Sequence, residues 1–190
     1  NIWLDERHTF LNKDLTIGVL GVGYLGKFIA NKLKSLNYNV IGYKNTISAA
    51  KYSIPIYYKK SLKTFLKLSD IIVSVLPATK ETRDLINKSF LNQMKKKSLL
   101  INIGRGSSLN EMDLLKHIKQ NNFFFASLDV FKKEPLPKNS KLWKNQNITV
   151  TPHVAAITDV DSSINYIFSK FEQFRTNGKI KSDVKIKNGY

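Results

Sequence analysis

The 190-residue sequence predicts an α/β fold in which helices cover both faces of a doubly wound parallel sheet. Two observations favour this class. Short apolar runs alternate along the chain with segments whose apolar residues recur at helical spacing. A glycine-rich segment, GVGYLG at 21–26, joins the first apolar run to the first helical segment. This alternation is typical of parallel strands connected by crossover helices.

The predicted elements follow in order along the chain. We predict strands at 15–20, 39–43, 54–58, 70–76, 99–103, 123–130 and 148–150. Pro55 marks the third as an edge strand or an irregular piece, because proline cannot donate a ladder hydrogen bond. Helical spacing predicts helices at 24–36 and 61–68, helical segments within 79–94, and a helix from 108 to about 120. Ser108 and Glu111 open the last of these with capping-box spacing, and 132–147, with its two prolines, is expected to be a loop.

A different pattern begins at residue 157. An apolar stripe at helical spacing predicts one long helix, formed by Ile157, Val160, Ile164, Ile167, Phe168, Phe171 and Phe174. Such a face needs a large partner surface. The tail from Lys179 is polar and is expected to be extended.

The composition limits the class of protein. Apolar residues make up 42% of the chain, which suits a globular core. No run approaches the roughly 20 apolar residues of a membrane-spanning helix, and no signal peptide is visible. The absence of cysteine excludes disulfides, thiolate metal sites and a cysteine nucleophile. We therefore expect a cytoplasmic protein without a metal site or a membrane partner.

The charge is strongly positive, +17, with 31 Lys and Arg against 14 Asp and Glu. Such an excess can indicate nucleic-acid binding. Here the lysines are spread along the chain, and no RNA-binding or helix-turn-helix motif accompanies them. We interpret them as solvated lysines and do not expect nucleic acid as a partner. A positive field would still attract phosphate-bearing cofactors and carboxylate substrates.

The GVGYLG segment, here called the phosphate loop (21–26), predicts a dinucleotide site. It follows a strand and opens a helix, which is the context that the Rossmann fingerprint requires. Gly21 permits the tight turn, Gly23 lets the backbone approach a pyrophosphate, and Gly26 lets the helix pack closely on the strand. With Tyr24 and Leu25, they supply the helix N-terminus on which the anion would lie.

The end of the second predicted strand indicates which dinucleotide binds. An acidic residue there would bind the ribose hydroxyls of NAD. This chain has Lys44, Asn45 and Thr46 instead, a set that could bind a 2′-phosphate. We therefore favour NADP(H) as the cofactor, with NAD(H) as the alternative.

Three later strand-like runs each end with one polar side chain: Arg105 in INIGRG, Glu134 in DVFKKEP and His153 in TPHVAA. A guanidinium, a carboxylate and an imidazole can together hold an anionic substrate and move a proton on and off its oxygen. Each residue alone would be unremarkable. Their joint occurrence at strand ends, after a phosphate loop, predicts a catalytic set.

GVGYLG, SVLPATKETRDLIN, LLINIGRGSSLNEMDLL, SLDVFKKEPLP and TPHVAAIT together resemble the D-isomer-specific 2-hydroxyacid dehydrogenase family over nearly the whole chain. The resemblance implies a Rossmann-type doubly wound parallel sheet with a C-terminal crossover helix. It also implies NAD(P)H-dependent reduction of a small 2-keto acid, glyoxylate or hydroxypyruvate, to the 2-hydroxy acid. Arg105 would clamp the substrate carboxylate, His153 would donate the proton, and Glu134 would hydrogen-bond the imidazole and fix its tautomer.

The same resemblance implies further site residues. The cofactor would also contact Leu76, Pro77, Asn102, Ile103, Gly104, Asp129, His153 and Ala155. Ligands of open α/β sheets lie beyond the carboxyl ends of the strands, where these residues are expected. A homodimer through the cofactor domain is implied as well. We interpret His8 and His117 as structural.

The resemblance further predicts how the chain is divided. Residues 1–14 would be an interdomain linker remnant, 15–156 the NAD(P)-binding domain, and 157–190 a helix and tail that pack on a substrate domain missing before Asn1. The isolated chain is then expected to bind NADPH but to turn over poorly. Two alternatives stay open: a cofactor-sensing or corepressor-like module without turnover, and a truncated product without function.

Overall fold

The computed structural model describes residues 11–47, 50–121 and 124–180. The chain divides into two units, Asn1–Pro152 and His153–Tyr190. In the described part, the first unit holds a seven-stranded sheet with its helices, and the second holds one helix. The division predicted from the sequence, with boundaries at 14 and 156, stays a prediction, and most of its first segment and of its tail lies outside the described residues.

Every strand pairing in the sheet is parallel. The strands are β1 (Thr16–Leu20), β2 (Asn39–Lys44), β3 (Ile56–Tyr58), β4 (Ile71–Ser74), β5 (Leu99–Asn102), β6 (Phe125–Leu128) and β7 (Ile148–Val150). Their order is β3-β2-β1-β4-β5-β6-β7. The chain therefore builds outward from β1 on one side and then from β4 on the other. The predicted α/β fold is confirmed, and β3, preceded by Pro55, is an edge strand as predicted.

Helices cover both faces of this sheet. They are α1 (Tyr24–Ser35), α2 (Leu62–Leu68), α3 (Lys88–Leu91) and α4 (Glu111–Gln120). Adjacent residues of β1 show the two faces, because Val19 and Leu20 are both fully buried but belong to different apolar clusters. A side chain alternates from face to face along a strand, so each cluster lies on its own side of the sheet.

The prediction of helical segments across 79–94 was wrong for most of that stretch. Only α3 is helical there, and Asn87 caps it by accepting hydrogen bonds from the amides of Ser89 and Phe90. The residues before it pair with another segment. Ile86 donates its amide to the carbonyl of Ser108, and its own carbonyl accepts from the amide of Asn110. A backbone used in this bridge cannot also form helical hydrogen bonds.

The predicted capping box at Ser108 was also wrong. Ser108 lies fully buried in a short 3-10 turn, and its hydroxyl donates to the carbonyl of Arg105 at 2.7 Å. Asn110 caps α4 instead, with its side-chain oxygen accepting the amide of Asp113 at 3.1 Å. Asparagine is among the strongest N-cap residues, and its position next to Glu111 suits the cap geometry better than that of Ser108.

The helix of the second unit, α5 (Val160–Asn177), has an exposed apolar stripe. Ile164, Ile167, Phe168, Phe171 and Phe174 are each between 45% and 65% exposed. Asp159 caps the helix, and hydrogen bonds from Ser162 lower the pKa of its carboxyl. The predicted helix is therefore present, but it begins at Val160, and Ile157 lies before it. Within the described residues, no helix is both long enough and apolar enough to cross a membrane.

Truncating Leu114 should destabilise the first unit strongly. This side chain is fully buried in the larger cluster, and Leu114→Ala is expected to cost about 2–5 kcal/mol of unfolding free energy. Met112 in the same helix is 57% exposed, so Met112→Ala should change it by less than about 0.5 kcal/mol. Urea denaturation of both variants checks this; equal losses would contradict the assignment of the core.

Candidate functional site

The phosphate loop follows β1 directly and is fixed by its glycines. Gly21 has φ = 100°, a left-handed conformation that glycine adopts without strain, and its amide donates to the carbonyl of Tyr43 at 3.0 Å. A Cβ on Gly26 would overlap the carbonyl oxygen of Gly21. Gly26 therefore allows the first turn of α1 to pack against the loop that follows β1.

The N-terminus of α1 is open to a ligand. Gly23 is its N-cap, and a Cβ added to Gly23 would meet no atom within 4 Å. Tyr24 is 97% exposed, and Leu25 is exposed as well. The first turn contains no acidic residue. Amides at the positive end of a helix, with free space in front of them, suit the pyrophosphate of a dinucleotide.

Lys44 is the last residue of β2 and lies at the carboxyl ends of the strands, as the phosphate loop does. Its ammonium donates to the hydroxyl of Tyr52 at 2.7 Å and lies 5.3 Å from the centroid of that ring. Asn45 and Thr46 follow with exposed side chains. Moreover, no Asp or Glu occurs between Asp14 and Asp70, so the sequence around the first half of the sheet is entirely basic or neutral.

The segment after β5, here called the arginine loop (103–106), is held tightly against its neighbours. The amide of Ile103 donates to the carbonyl of Ser74 at 3.1 Å. A Cβ on Gly104 would lie 2.6 Å from the backbone nitrogen and oxygen of Leu76, and one on Gly106 would overlap the backbone of Phe131. The loop thus joins the ends of β4, β5 and β6.

Arg105 extends from this rigid loop into solvent. The side chain is exposed, and its Nη1 donates to the carbonyl of Gly104 at 2.8 Å. Leu76 is buried beside the loop, and Pro77 is half-buried. A guanidinium on a fixed backbone can present its paired donors to a carboxylate in a defined direction.

Two buried polar atoms accompany the arginine loop. Asn102 and Ser74 are register partners at the ends of β5 and β4, and both are fully buried. The Oδ1 atom of Asn102 accepts the amide of Gly104 at 3.4 Å, whereas its Nδ2 and the Oγ of Ser74 have no hydrogen-bond partner among the described residues. The sequence analysis missed Ser74; its signal is a single hydroxyl at the end of an otherwise apolar strand.

Asp129 and Glu134 occupy the loop after β6 with different surroundings. Asp129 is only 3% exposed and accepts from the hydroxyl of Thr151 at 2.5 Å. Glu134 is exposed, and its Oε1 accepts the amide of Phe131 at 2.8 Å. Lys132 secures the same loop through a salt bridge to Asp84. The carboxylate of Glu134 therefore helps to shape the loop against which the arginine loop packs.

The two remaining predicted residues belong to the second unit. His153 follows β7 by three residues, has an exposed side chain, and adopts a left-handed backbone with φ = 56°. Ala155 is exposed as well. The phosphate loop, Lys44, the arginine loop and Glu134 thus belong to the first unit, whereas His153 belongs to the second.

The other histidines were interpreted as structural. His117 packs edge-on against Phe124, with ring centroids 4.8 Å apart, and burial lowers its pKa. Such a setting supports the structural interpretation of His117. His8 lies outside the described residues.

The sheet order and the phosphate loop define a dinucleotide-binding α/β domain. Residues 2–155 match the model of a family described as D-isomer specific 2-hydroxyacid dehydrogenase, NAD binding domain. The chain belongs to this family, and the predicted resemblance is confirmed.

Individual relatives are similar over almost the whole chain. Glyoxylate/hydroxypyruvate reductase A of Photorhabdus laumondii is 39% identical over 178 residues, which cover 94% of this chain and 57% of that protein. The NADPH-dependent glyoxylate/hydroxypyruvate reductase of Sinorhizobium meliloti, solved with NADP and sulfate, has a TM-score of 0.87 at 32% identity, covering 94% of this chain and 58% of its own. The chain therefore spans just over half the length of these two relatives.

A third relative supports the same fold. A D-isomer specific 2-hydroxyacid dehydrogenase of Xanthobacter autotrophicus was solved in complex with NADPH and MES. It has a TM-score of 0.89 at 32% identity, with 96% of this chain and 76% of that chain covered. This similarity confirms the Rossmann-type arrangement.

Gly26 and Gly23 should respond differently to a methyl group. Gly26→Ala is expected to cost about 1–3 kcal/mol of unfolding free energy, because its Cβ overlaps the backbone of Gly21. Gly23→Ala should change it by less than about 1 kcal/mol, because its Cβ points into open space and its φ of −85° suits alanine. Thermal denaturation compares the two, and a larger loss for Gly23→Ala would contradict the described loop.

Proposed function

We propose that this chain is the cofactor-binding part of an NADP(H)-dependent reductase that converts a small 2-keto acid, glyoxylate or hydroxypyruvate, to the 2-hydroxy acid. One observation carries the proposal. Arg105 is exposed, its backbone is held by close packing of the glycines on either side, and it lies at the carboxyl ends of the strands, as the phosphate loop does. Membership of the dehydrogenase family supports it. So do the relatives named as glyoxylate/hydroxypyruvate reductases.

The cofactor would be held by the phosphate loop at its pyrophosphate and by Lys44, Asn45 and Thr46 at the 2′-phosphate. Bound NADPH would supply a hydride to the carbonyl carbon of the substrate. The positive end of α1 and the lack of acidic residues from 15 to 69 favour an anionic ligand with an extra phosphate. Relatives solved with NADP or NADPH support this choice.

Arg105 would bind the carboxylate of the keto acid. Its two terminal nitrogens match the two carboxylate oxygens, and such charged, bidentate pairs are stronger than ordinary hydrogen bonds. The clamped backbone of the arginine loop would orient the substrate carbonyl as well as bind it. Fixing a reactant in this way lowers the entropic part of the barrier.

His153 would donate a proton to the carbonyl oxygen as the hydride reaches the carbon, and it would accept that proton in the reverse reaction. Glu134 would accept the other imidazole N–H and so fix the tautomer. The hydrogen bond from the Phe131 amide to Oε1 of Glu134 supports this role, because it holds the carboxylate in a fixed position. We also propose Asp129 as a buried support for the cofactor side of the site.

The exposed stripe of α5 would pack on a substrate domain, and the cofactor domain would form a homodimer. The relatives are longer than this chain, and five large apolar side chains of α5 are exposed. Burial of such side chains is the main driving force for docking two domains. The reacting groups would then lie in a closed cleft.

Loss of the Arg105 guanidinium should impair reduction specifically. In an active protein that joins this chain to a substrate domain, Arg105→Gln is expected to lower kcat/KM for glyoxylate about 100-fold, since two charged hydrogen bonds are lost. Arg83→Gln, at another exposed arginine, should change it less than about twofold. NADPH oxidation with glyoxylate and with hydroxypyruvate measures both. NADPH binding without reduction of either substrate would favour a cofactor-sensing module instead.

Charge reversal at Lys44 should alter cofactor choice. Lys44→Asp is expected to weaken NADPH binding at least about tenfold and to leave NADH binding unchanged or improved, because a carboxylate repels a 2′-phosphate and binds ribose hydroxyls. Lys116→Asp, exposed on α4, is the matched control. Fluorescence titration of each variant with both cofactors measures the ratio, and an unchanged preference would contradict the NADP(H) assignment.

A further inference from the structure

We propose that Tyr52 is a positioning residue for cofactor specificity: it holds the Lys44 ammonium where the 2′-phosphate of NADP(H) would bind. The proposal rests on the NADP(H) function proposed above and assigns its selectivity to a second residue. Tyr52 lies outside the phosphate loop and outside the strand end at 44–46.

The placement of Lys44 follows from the alternation of β2. Tyr43 packs towards Phe65, with ring centroids 5.5 Å apart. Gly42 faces the other side, where its added Cβ would meet Val22 of the phosphate loop. Because side chains two residues apart share a face, Lys44 lies on the side of Gly42 and the phosphate loop.

Tyr52 is anchored on that same side. Its ring is partly buried and packs against the smaller apolar cluster, which consists of Val19, Val22, Ala30, Val40 and Ile54. Its hydroxyl accepts a hydrogen bond from the Lys44 ammonium at 2.7 Å, and the centroid of its ring lies 5.3 Å from the same nitrogen. The tyrosine therefore connects the core beneath the phosphate loop to the cation at the strand end.

This contact fixes the lysine without neutralising it. A free lysine loses side-chain entropy when it is ordered by a ligand. Hydrogen bonding to the Tyr52 hydroxyl orders the side chain beforehand, so a phosphate would meet a preorganised cation. A carboxylate partner in place of Tyr52 would order the lysine too but would compete with the phosphate. An ammonium has three N–H donors, of which the Tyr52 bond uses one.

Tyr52→Phe tests this role because it keeps the ring and its packing but removes the hydroxyl. In fluorescence titrations of the 190-residue chain, we expect NADPH to bind about three- to tenfold more weakly, because the phosphate must then order a lysine that Tyr52 no longer holds. The dissociation constant for NADH should change less than about twofold, since NADH has no 2′-phosphate. A merely structural role would weaken both cofactors alike.

Tyr38→Phe is the matched control, because Tyr38 packs against the same apolar cluster and lies immediately before β2, at the opposite end of the strand from Lys44. This variant should leave the NADPH/NADH ratio unchanged. Unfolding midpoints of both variants confirm that the fold is retained. A fall in the ratio for Tyr38→Phe equal to that for Tyr52→Phe would overturn the proposal.

A double-mutant cycle with Lys44→Met separates the two residues. If Tyr52 acts through Lys44, then Tyr52→Phe has no effect on NADPH binding once Lys44→Met is present. An equal effect in both backgrounds, no effect in either, or tighter NADPH binding by Tyr52→Phe would overturn the proposal. If Lys44→Met removes the NADPH preference but Tyr52→Phe does not, only the role of Tyr52 fails. A wild-type chain without NADPH preference would overturn the NADP(H) assignment as well.

Discussion

The parallel pairing of β1 with β4 is the constraint on which the site depends. The strand order reverses at this pair, so the loops after the two strands leave in opposite directions and open a crevice between them. Gly21 keeps the two loops close: a Cβ at this position would lie only 3.1 Å from the carbonyl oxygen of Val75. The phosphate loop and the segment after β4, which supports the arginine loop, therefore pack against each other and form one wall of the crevice.

Backbone contacts at glycines extend this wall across the sheet. Gly104 lies against Leu76, and Gly106 lies against Phe131, so the loops after β4, β5 and β6 support one another. Side chains that would take part in chemistry are exposed, whereas the backbone beneath them is fixed. Arg105 shows this division clearly, because its neighbours on both sides are buried glycines. A rigid support of this kind is what precise orientation of a small substrate requires.

The sheet and the phosphate loop could be predicted from the sequence, because both depend on patterns among residues that are close along the chain. The prediction failed between 79 and 94, where Ile86 pairs with the segment around Leu109, a long-range contact that helical spacing does not indicate. Its spacing from Glu111 predicted Ser108 as the cap, but the Ser108 hydroxyl donates to the carbonyl of Arg105 instead. The role of Tyr52 was not predicted for a related reason: its contact with Lys44 joins the end of a strand to a residue outside any helix or strand.

The strand order also determines how the chain can assemble. Five of the six pairings join strands that are consecutive in the sequence, and only β1 with β4 does not. Each of β2, β3, β5, β6 and β7 can therefore add to an edge that the preceding strand has just provided. The β1–β4 pairing must instead close a loop that contains α1, β2, β3 and α2, and the entropy of closing a loop rises with its length. The same seam that opens the cofactor crevice is thus the strand pairing with the greatest sequence separation in the sheet.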